Sequence, residues 1–360
     1  MDSPLEQARA LIAQNEFDKA EELLGNIVAR QPRLFLARYL LGQLLEHTHQ
    51  VRKAIEFYSE TVKLLPGHAA PHTRLSILRL REYPGLSSSA PCKAADSGVR
   101  GRISMSTLGM NGRFGNQLLQ YGFLRMYAES FQLRVETPEW IGQYIYGFNY
   151  PRAGNDLPGI EENGDFFVKS LNSEVPETLV NRDIWGFCCY HTLALSGYRD
   201  LFQSIYTPAQ ALMPQLEQAH MALKERGSTI IVLHLRRGDF GEGIFWVAPE
   251  EWYINWLEEI WGQCDSPVLY IASDEPDKVL AAFKAYNPVI ATDISSLIPG
   301  IEFMHDFYLM TRADYLAISN STFSFSASMI NRNAKCFFRP DRTMQKLVEY
   351  DPWNADVFLP

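Results

Sequence analysis

The chain has 360 residues, of which 46% are apolar and 21% charged, with a net charge of −9 and a pI near 5.5. That composition suits a globular protein of two or three domains with a large core, and nothing in it calls for intrinsic disorder. The acidic balance also argues against a nucleic-acid binder, which presents a basic field.

The first residues, "MDSPLEQARA", carry no basic segment and no apolar core of a secretory signal. No apolar run approaches the roughly 20 residues that span a bilayer. The five cysteines, Cys92, Cys188, Cys189, Cys264 and Cys336, lack zinc-type spacing, which fits a reducing compartment. A cytoplasmic location is therefore expected.

Two segments repeat. "FDKAEELLGNIVARQP" ends at Pro32 and "VRKAIEFYSETVKLLP" at Pro66. Ala20 aligns with Ala54, Leu24 with Tyr58 and Val28 with Val62; upstream, Ala8 aligns with Gly42 and Leu11 with Leu45. Small residues at four of these positions let paired helices approach, and each proline stops a helix because it has no N–H and clashes with the preceding turn. The shared register resembles two tetratricopeptide repeats. Residues 70–82 are expected to form a third helix that caps the stack. Residues 1–83 then make one all-α unit, and its role is either a surface for a protein or peptide partner or a stabilising cap without a ligand. The Pro-, Gly- and Ser-rich stretch 84–101 reads as a linker.

Beyond it, strand-length apolar runs at 103–108, 133–137, 229–235, 268–273 and 335–338 alternate with helical stretches at 114–130, 208–225, 249–262, 276–285 and 324–331. Alternation of this kind predicts an α/β fold with parallel sheets. The length favours two lobes, 102–226 and 227–360, divided near 225–228. Ligands in such folds sit beyond the carboxyl ends of strands, which selects the turns after 108, 235 and 273.

Those turns carry chemistry. "MNGRFGNQ" places Arg113 and Asn116 at the mouth of a helix. "HLRRGDF" puts His234, Arg236, Arg237 and Asp239 at the end of a buried strand. Arg236 shares a strand face with His234, and its planar fork suits phosphate oxygens. Arg237 and Asp239 either join it or brace the turn. "ASDEPDKV" offers Asp274 as an acceptor for a base or ribose, with helix capping the competing role. "SNSTFSFSASMI" crowds Ser321, Thr322, Phe323 and Ser324 at a helix start, where hydroxyls and N–H groups favour an anion. The Walker and Gly-X-Gly-X-X-Gly patterns are both missing, as is an Asp-X-Asp triplet, so neither a P-loop nor a dinucleotide site is expected, and no metal.

"NGRFGNQLLQY", "HLRRGDF", "YIASDEPDKV" and "DFYLMTRADYLAISNSTFSFSASMI" occur in the order seen in α-1,2-type fucosyltransferases, and the first also resembles the "GRFGNQ" of protein O-fucosyltransferases. The resemblance spans about residues 103–345. It implies a two-lobed, Rossmann-type GT-B-like fold, GDP-fucose as donor, a glycan hydroxyl as acceptor, inversion at the anomeric carbon, and neither metal nor cofactor. Arg236 would contact the β-phosphate, and His234 and Asp274 would lie near the guanosine. Residues 321–324 would line the diphosphate site, with Arg237 and Asp239 beside it. Arg113 and Asn116 would face the reaction centre from the other lobe. Glu242 is the first candidate for a general base, followed by His191 and Asp183. The paired tryptophans often found after the last motif are absent, and soluble repeats stand where relatives carry a membrane anchor. A different nucleotide sugar, a protein acceptor and an inactive scaffold are the rival readings.

Overall fold

Five helices open the computed structural model, which describes residues 3–86, 98–175 and 178–359. They are α1 (Pro4–Ala13), α2 (Phe17–Arg30), α3 (Phe35–His47), α4 (Val51–Leu64) and α5 (Ala69–Arg81). Ser3 starts α1 by accepting the Glu6 N–H at 3.3 Å. Ala8, Ala20 and Ala54 are fully buried. Gly42 is required by packing, since a methyl group there would lie 2.8 Å from the Tyr58 ring. Leu24, Leu41, Leu44, Leu45 and Tyr58 fill the core of this module.

Helix α5 does more than cap the stack. Eight of its thirteen residues are buried, a pattern that needs neighbours on both sides. Ala70 and Leu78 pack into the repeat core, while Ile77 and Leu80 enter the core of the α/β part. Arg74 bridges Glu46 in α3 and Glu139 in the α/β part, and Arg81 Nη2 meets Glu139 Oε2 at 2.6 Å. The repeats are therefore joined to the rest through a shared helix. The central part of the expected linker, residues 87–97, lies outside the described residues; Leu86, ahead of it, is already buried in the α/β core.

The first lobe contains β1 (Gly101–Ser104), α6 (Phe114–Phe131), β2 (Leu133–Glu136), α7 (Ile141–Tyr146), β3 (Gly159–Glu161), α8 (Phe166–Leu171) and β4 (Arg182–Trp185), followed by α9 (Arg199–Ile205) and α10 (Met213–Lys224). Its strands form a parallel sheet in the order β2-β1-β4-β3, with Ile103 opposite both Val135 and Arg182. The expected strand 103–108 ends at Ser104, and residues 105–112 make the turn into α6.

The second lobe runs through β5 (Thr229–Leu235), α11 (Glu250–Trp261), β6 (Pro267–Ser273), α12 (Pro276–Val279), α13 (Met304–Met310), β7 (Tyr315–Ala317), α14 (Thr322–Ile330), β8 (Cys336–Asp341) and β9 (Lys346–Glu349). The order is β6-β5-β7-β8-β9, parallel except for the β8–β9 hairpin. All seven residues of β5 are buried, as its unbroken apolar run requires. The helix read at 276–285 is instead the short α12 continued by a 3-10 turn, Leu280–Tyr286.

Two helices cross the expected division. Helix α10 precedes it, yet Leu216 and Leu223 pack with Ile230 and Val232 of β5, and Arg226 Nη2 donates to the Asp293 carbonyl at 3.1 Å. Helix α14, from the second lobe, packs on α6 of the first. At their crossing a methyl group on Gly115 would fall 2.4 Å from the Phe323 nitrogen. Ser326 donates to the Gly115 carbonyl at 3.2 Å. No helix among the described residues is long and apolar enough to cross a membrane.

Candidate active site

The buried strand β5 delivers its chain to the junction between the sheets, and Arg236 is the first residue out. Its guanidinium contacts two carboxylates: Nε and Nη2 reach Asp239 Oδ1 at 3.1 and 2.5 Å, and Nη1 reaches Asp274 Oδ2 at 2.9 Å. Asp274 follows the neighbouring strand β6, where Leu235 pairs with Ser273. Its other oxygen accepts the Arg237 N–H at 2.9 Å. A methyl group at position 238 would lie 2.4 Å from Asp274 Oδ2, so a larger residue there would displace the carboxylate that Arg236 contacts.

Arg113 completes the array from the other lobe. As the N-cap residue of α6 it extends over the junction, and its Nη2 lies 2.7 Å from both oxygens of Asp239. Asp239 therefore holds two guanidiniums from different lobes. Arg236 is 15% exposed and Arg113 33%. They are shielded from bulk water yet reachable by a ligand, where a charge contact is stronger than at an open surface.

The remaining candidates divide. Arg237 turns away to Glu250 at 2.7 Å and to the Arg236 carbonyl at 3.0 Å, a bracing arrangement. His234 lies on the same strand face as Arg236, but its Nδ1 meets Ser319 Oγ at 2.8 Å in the interior. Burial is the main cause that lowers its pKa to about 4; the Asp274 charge opposes and the Arg237 charge adds. It is thus a neutral, buried group beneath the array.

At the head of α14 most hydroxyls are engaged by backbone. Ser321 accepts the Phe323 N–H at 3.3 Å, and Ser324 donates to the carbonyls of Ser319 and Ser321 at 3.4 and 3.3 Å. The Thr322 hydroxyl makes no hydrogen bond among the described residues. Phe323 points into an aromatic cluster, with ring centres 5.3 Å from Phe307, 5.9 Å from Phe303 and 6.4 Å from Phe114. The first turns of α6 and α14 thus meet at one point, and both supply the positive end of a helix dipole. Asn116 folds beneath the turn at Gly112, whose φ of +76° only glycine adopts freely. Asn116 Oδ1 is buried without a hydrogen bond.

None of the three base candidates joins this array. Asp183 accepts from Ser104 Oγ, the Ser106 N–H and Ser106 Oγ at 2.6–2.8 Å. His191 Nδ1 accepts the Leu193 N–H at 3.4 Å and caps a 3-10 turn. Glu242 is exposed at the start of another such turn. The cysteines Cys188, Cys189, Cys264 and Cys336 are free thiols; Cys92 lies outside the described residues.

One residue escaped the sequence reading. Asp306, in α13, accepts the Tyr270 hydroxyl at 2.5 Å beside the end of β6. Burial chiefly raises its carboxyl pKa to about 7; Tyr270 and the Ser273 backbone oppose this, and the Asp274 charge supports it. Its signal was the "DFYLM" run, which reads as a plain amphipathic helix. Among the described residues no three His, Cys, Asp or Glu side chains are grouped to hold a metal ion.

Residues 79–339, nearly three quarters of the chain, match the family model of glycosyl transferase family 11. The chain belongs to glycosyl transferase family 11. The match begins inside α5 and ends in β8, so this family 11 domain takes in both lobes and the array between them. Residues 5–69 match a tetratricopeptide repeat model, in agreement with the register shared by the segments that end at Pro32 and Pro66. No curated protein sequence matches the family 11 chain significantly. Among solved structures, NodZ α-1,6-fucosyltransferase from Bradyrhizobium, soaked with GDP-fucose, is 12% identical, with a TM-score of 0.42 over 70% of this chain and 98% of that one. A mutant of Arabidopsis thaliana FUT1 in complex with GDP is 12% identical, with a TM-score of 0.45 over 77% and 80%. The MamA RS-1 ArsTM double mutant is 27% identical over 22% of this chain and 44% of that one, with a TM-score of 0.21. With TM-scores below 0.5, the likenesses add no weight to the family 11 assignment.

Proposed function

We propose that this glycosyltransferase moves fucose from GDP-fucose to a glycan hydroxyl with inversion and without a divalent cation. The observation that carries the reading is the Arg113–Asp239–Arg236 array, which sets two guanidiniums from opposite lobes around one anionic position. As the bond from the anomeric carbon to the β-phosphate breaks, negative charge grows on GDP. Fixed cations that meet this growing charge lower the barrier. A diphosphate competes for the same donors that Asp239 now occupies, and the heads of α6 and α14 add their dipoles.

Donor selectivity follows from the acceptor groups beside β6. Guanine offers N1–H and N2–H donors along one edge, and carboxyl oxygens accept them; Asp274 and Asp306 supply such oxygens, with neutral His234 behind them. A protein acceptor is the second reading, favoured by an open groove of about 580 Å³ on the repeats. Acidic Asp18, Glu21 and Glu22 border it, and Leu41, Leu45 and Phe57 form its apolar floor.

Thermal shift separates the donor readings. A ligand at about 100 times its Kd stabilises the native state by about 2.7 kcal/mol. GDP is expected to raise Tm by several degrees, equally with magnesium or EDTA, while UDP does not. A UDP shift without a GDP shift moves the reading to another nucleotide sugar; no shift with any nucleotide leaves an inactive scaffold.

A further inference from the structure

The turn between α4 and α5 belongs to the repeats, yet it borders the array. A methyl group placed on Gly67 would stand 3.6 Å from Asp239 Oδ2, the carboxylate that links Arg113 to Arg236. His72, in the first turn of α5, reaches back so that its Nε2 lies 2.8 Å from the Pro66 carbonyl oxygen. A carbonyl only accepts, so Nε2 carries the proton and Nδ1 keeps its lone pair. The Pro66 contact is the only side-chain hydrogen bond of His72 among the described residues, and the residue is half-buried.

The charged and titratable groups that face His72 are Arg113 and Asp239 from the two α/β lobes and His68 from its own segment. Burial is the main cause that lowers its pKa below the usual imidazole value. The Pro66 contact and Asp239 oppose this; Arg113 and His68 add to it. The ring is neutral near pH 7, with the Nδ1 lone pair beside the cations assigned to the leaving group.

We propose that His72 is the base that takes the proton of the acceptor hydroxyl, so that the repeat module completes the active site. The proposal rests on the fucosyl-transfer reading above. In the step, the acceptor oxygen forms a bond to the anomeric carbon. The bond from that carbon to the β-phosphate oxygen breaks, and its electron pair leaves with GDP. The hydroxyl proton passes to His72 Nδ1. The resulting imidazolium faces the Asp239 carboxylate and returns its proton to water. Asp183 already accepts three hydrogen bonds from Ser104 and Ser106, and His191 Nδ1 accepts the Leu193 N–H. The Glu242 carboxylate makes no side-chain hydrogen bond among the described residues, its carbonyl alone accepting the Phe245 N–H at 3.0 Å, whereas Pro66 orients the His72 ring.

The test uses the full chain, GDP-fucose, and either water or methyl β-D-galactoside as acceptor, with GDP release as the readout. His72→Gln retains an amide N–H for Pro66 but has no basic nitrogen. It is expected to slow GDP release by about 100-fold or more, to leave GDP affinity and Tm near the wild-type values, and to erase the acid limb of the kcat profile. His72→Ala should be slow and partly restored by added imidazole. Wild-type turnover with an intact acid limb in His72→Gln overturns the proposal. So does a loss of GDP affinity in His72→Gln together with no imidazole rescue of His72→Ala, which marks a structural role. If the wild-type chain binds GDP but releases none from GDP-fucose, the fucosyl-transfer reading falls first, and this one with it.

Discussion

Replacing Arg236 with alanine separates catalysis from stability. The side chain touches Asp239 at 3.1 and 2.5 Å and Asp274 at 2.9 Å. Neither carboxylate is orphaned by its removal: Asp239 keeps Arg113 at 2.7 Å, and Asp274 keeps the Arg237 N–H at 2.9 Å. The pairs are partly exposed, so the stability loss should be about 1 kcal/mol, as for other solvent-screened pairs. The catalytic loss should be larger. Deleting one fixed donor to a developing anion costs about 2.7–4 kcal/mol, or roughly 100- to 1,000-fold in kcat. Arg236→Lys keeps the charge, but one ammonium cannot reproduce a fork that spans both carboxylates, and it should fall between the two. The assay pairs steady-state GDP release with calorimetric GDP binding and a melting curve. A kcat for Arg236→Ala within tenfold of wild type, in a folded protein that binds GDP, would refute the electrostatic role.

Gly115→Ala puts a methyl group 2.4 Å from the Phe323 nitrogen and 2.5 Å from the Thr322 carbonyl carbon. Backbone cannot give way as a side chain does, so α6 and α14 must separate. A cost of about 1–3 kcal/mol in melting experiments is expected, with weaker GDP binding, since both helix heads line the site. Glu139→Gln loosens the joint with the repeats. Burial alone would raise the pKa of Glu139, but Arg81, Tyr144 and the Arg74 charge outweigh it and hold it at about 2, below the usual value of 4.5. Its folded pKa is depressed, so its stabilisation is complete above pH 4.5 and fades as pH falls toward 2, by about 3 kcal/mol. The variant should melt earlier than wild type at pH 7, and the gap should narrow through that window in pH-dependent unfolding.

Much of this fold is local and therefore readable along the chain. Helical hairpins follow from small and apolar residues that recur in the register shared by the two repeats, because each residue's face depends only on its neighbours three and four positions away. The buried run 229–235 announces a central parallel strand, and the rule that ligands gather beyond strand ends leads from it to Arg236. The short strands β3, β4, β7 and β9 do not stand out in the sequence because three or four residues carry too little periodicity. Phe323 was assigned to the diphosphate site from its place in the motif, but its ring joins the aromatic cluster, because a motif does not show which way a side chain turns.

The sequence by itself determined the longer elements, the repeat register and the residue types that meet at the strand ends. Only tertiary structure decided that Asp239 would bind Arg113, 126 residues away, that α5 would bury two opposite faces, and that a turn of the repeats would border the array. Elements arise from short-range periodicity, whereas contacts between distant segments depend on how two sheets and a shared helix pack. No stretch of sequence encodes that packing alone.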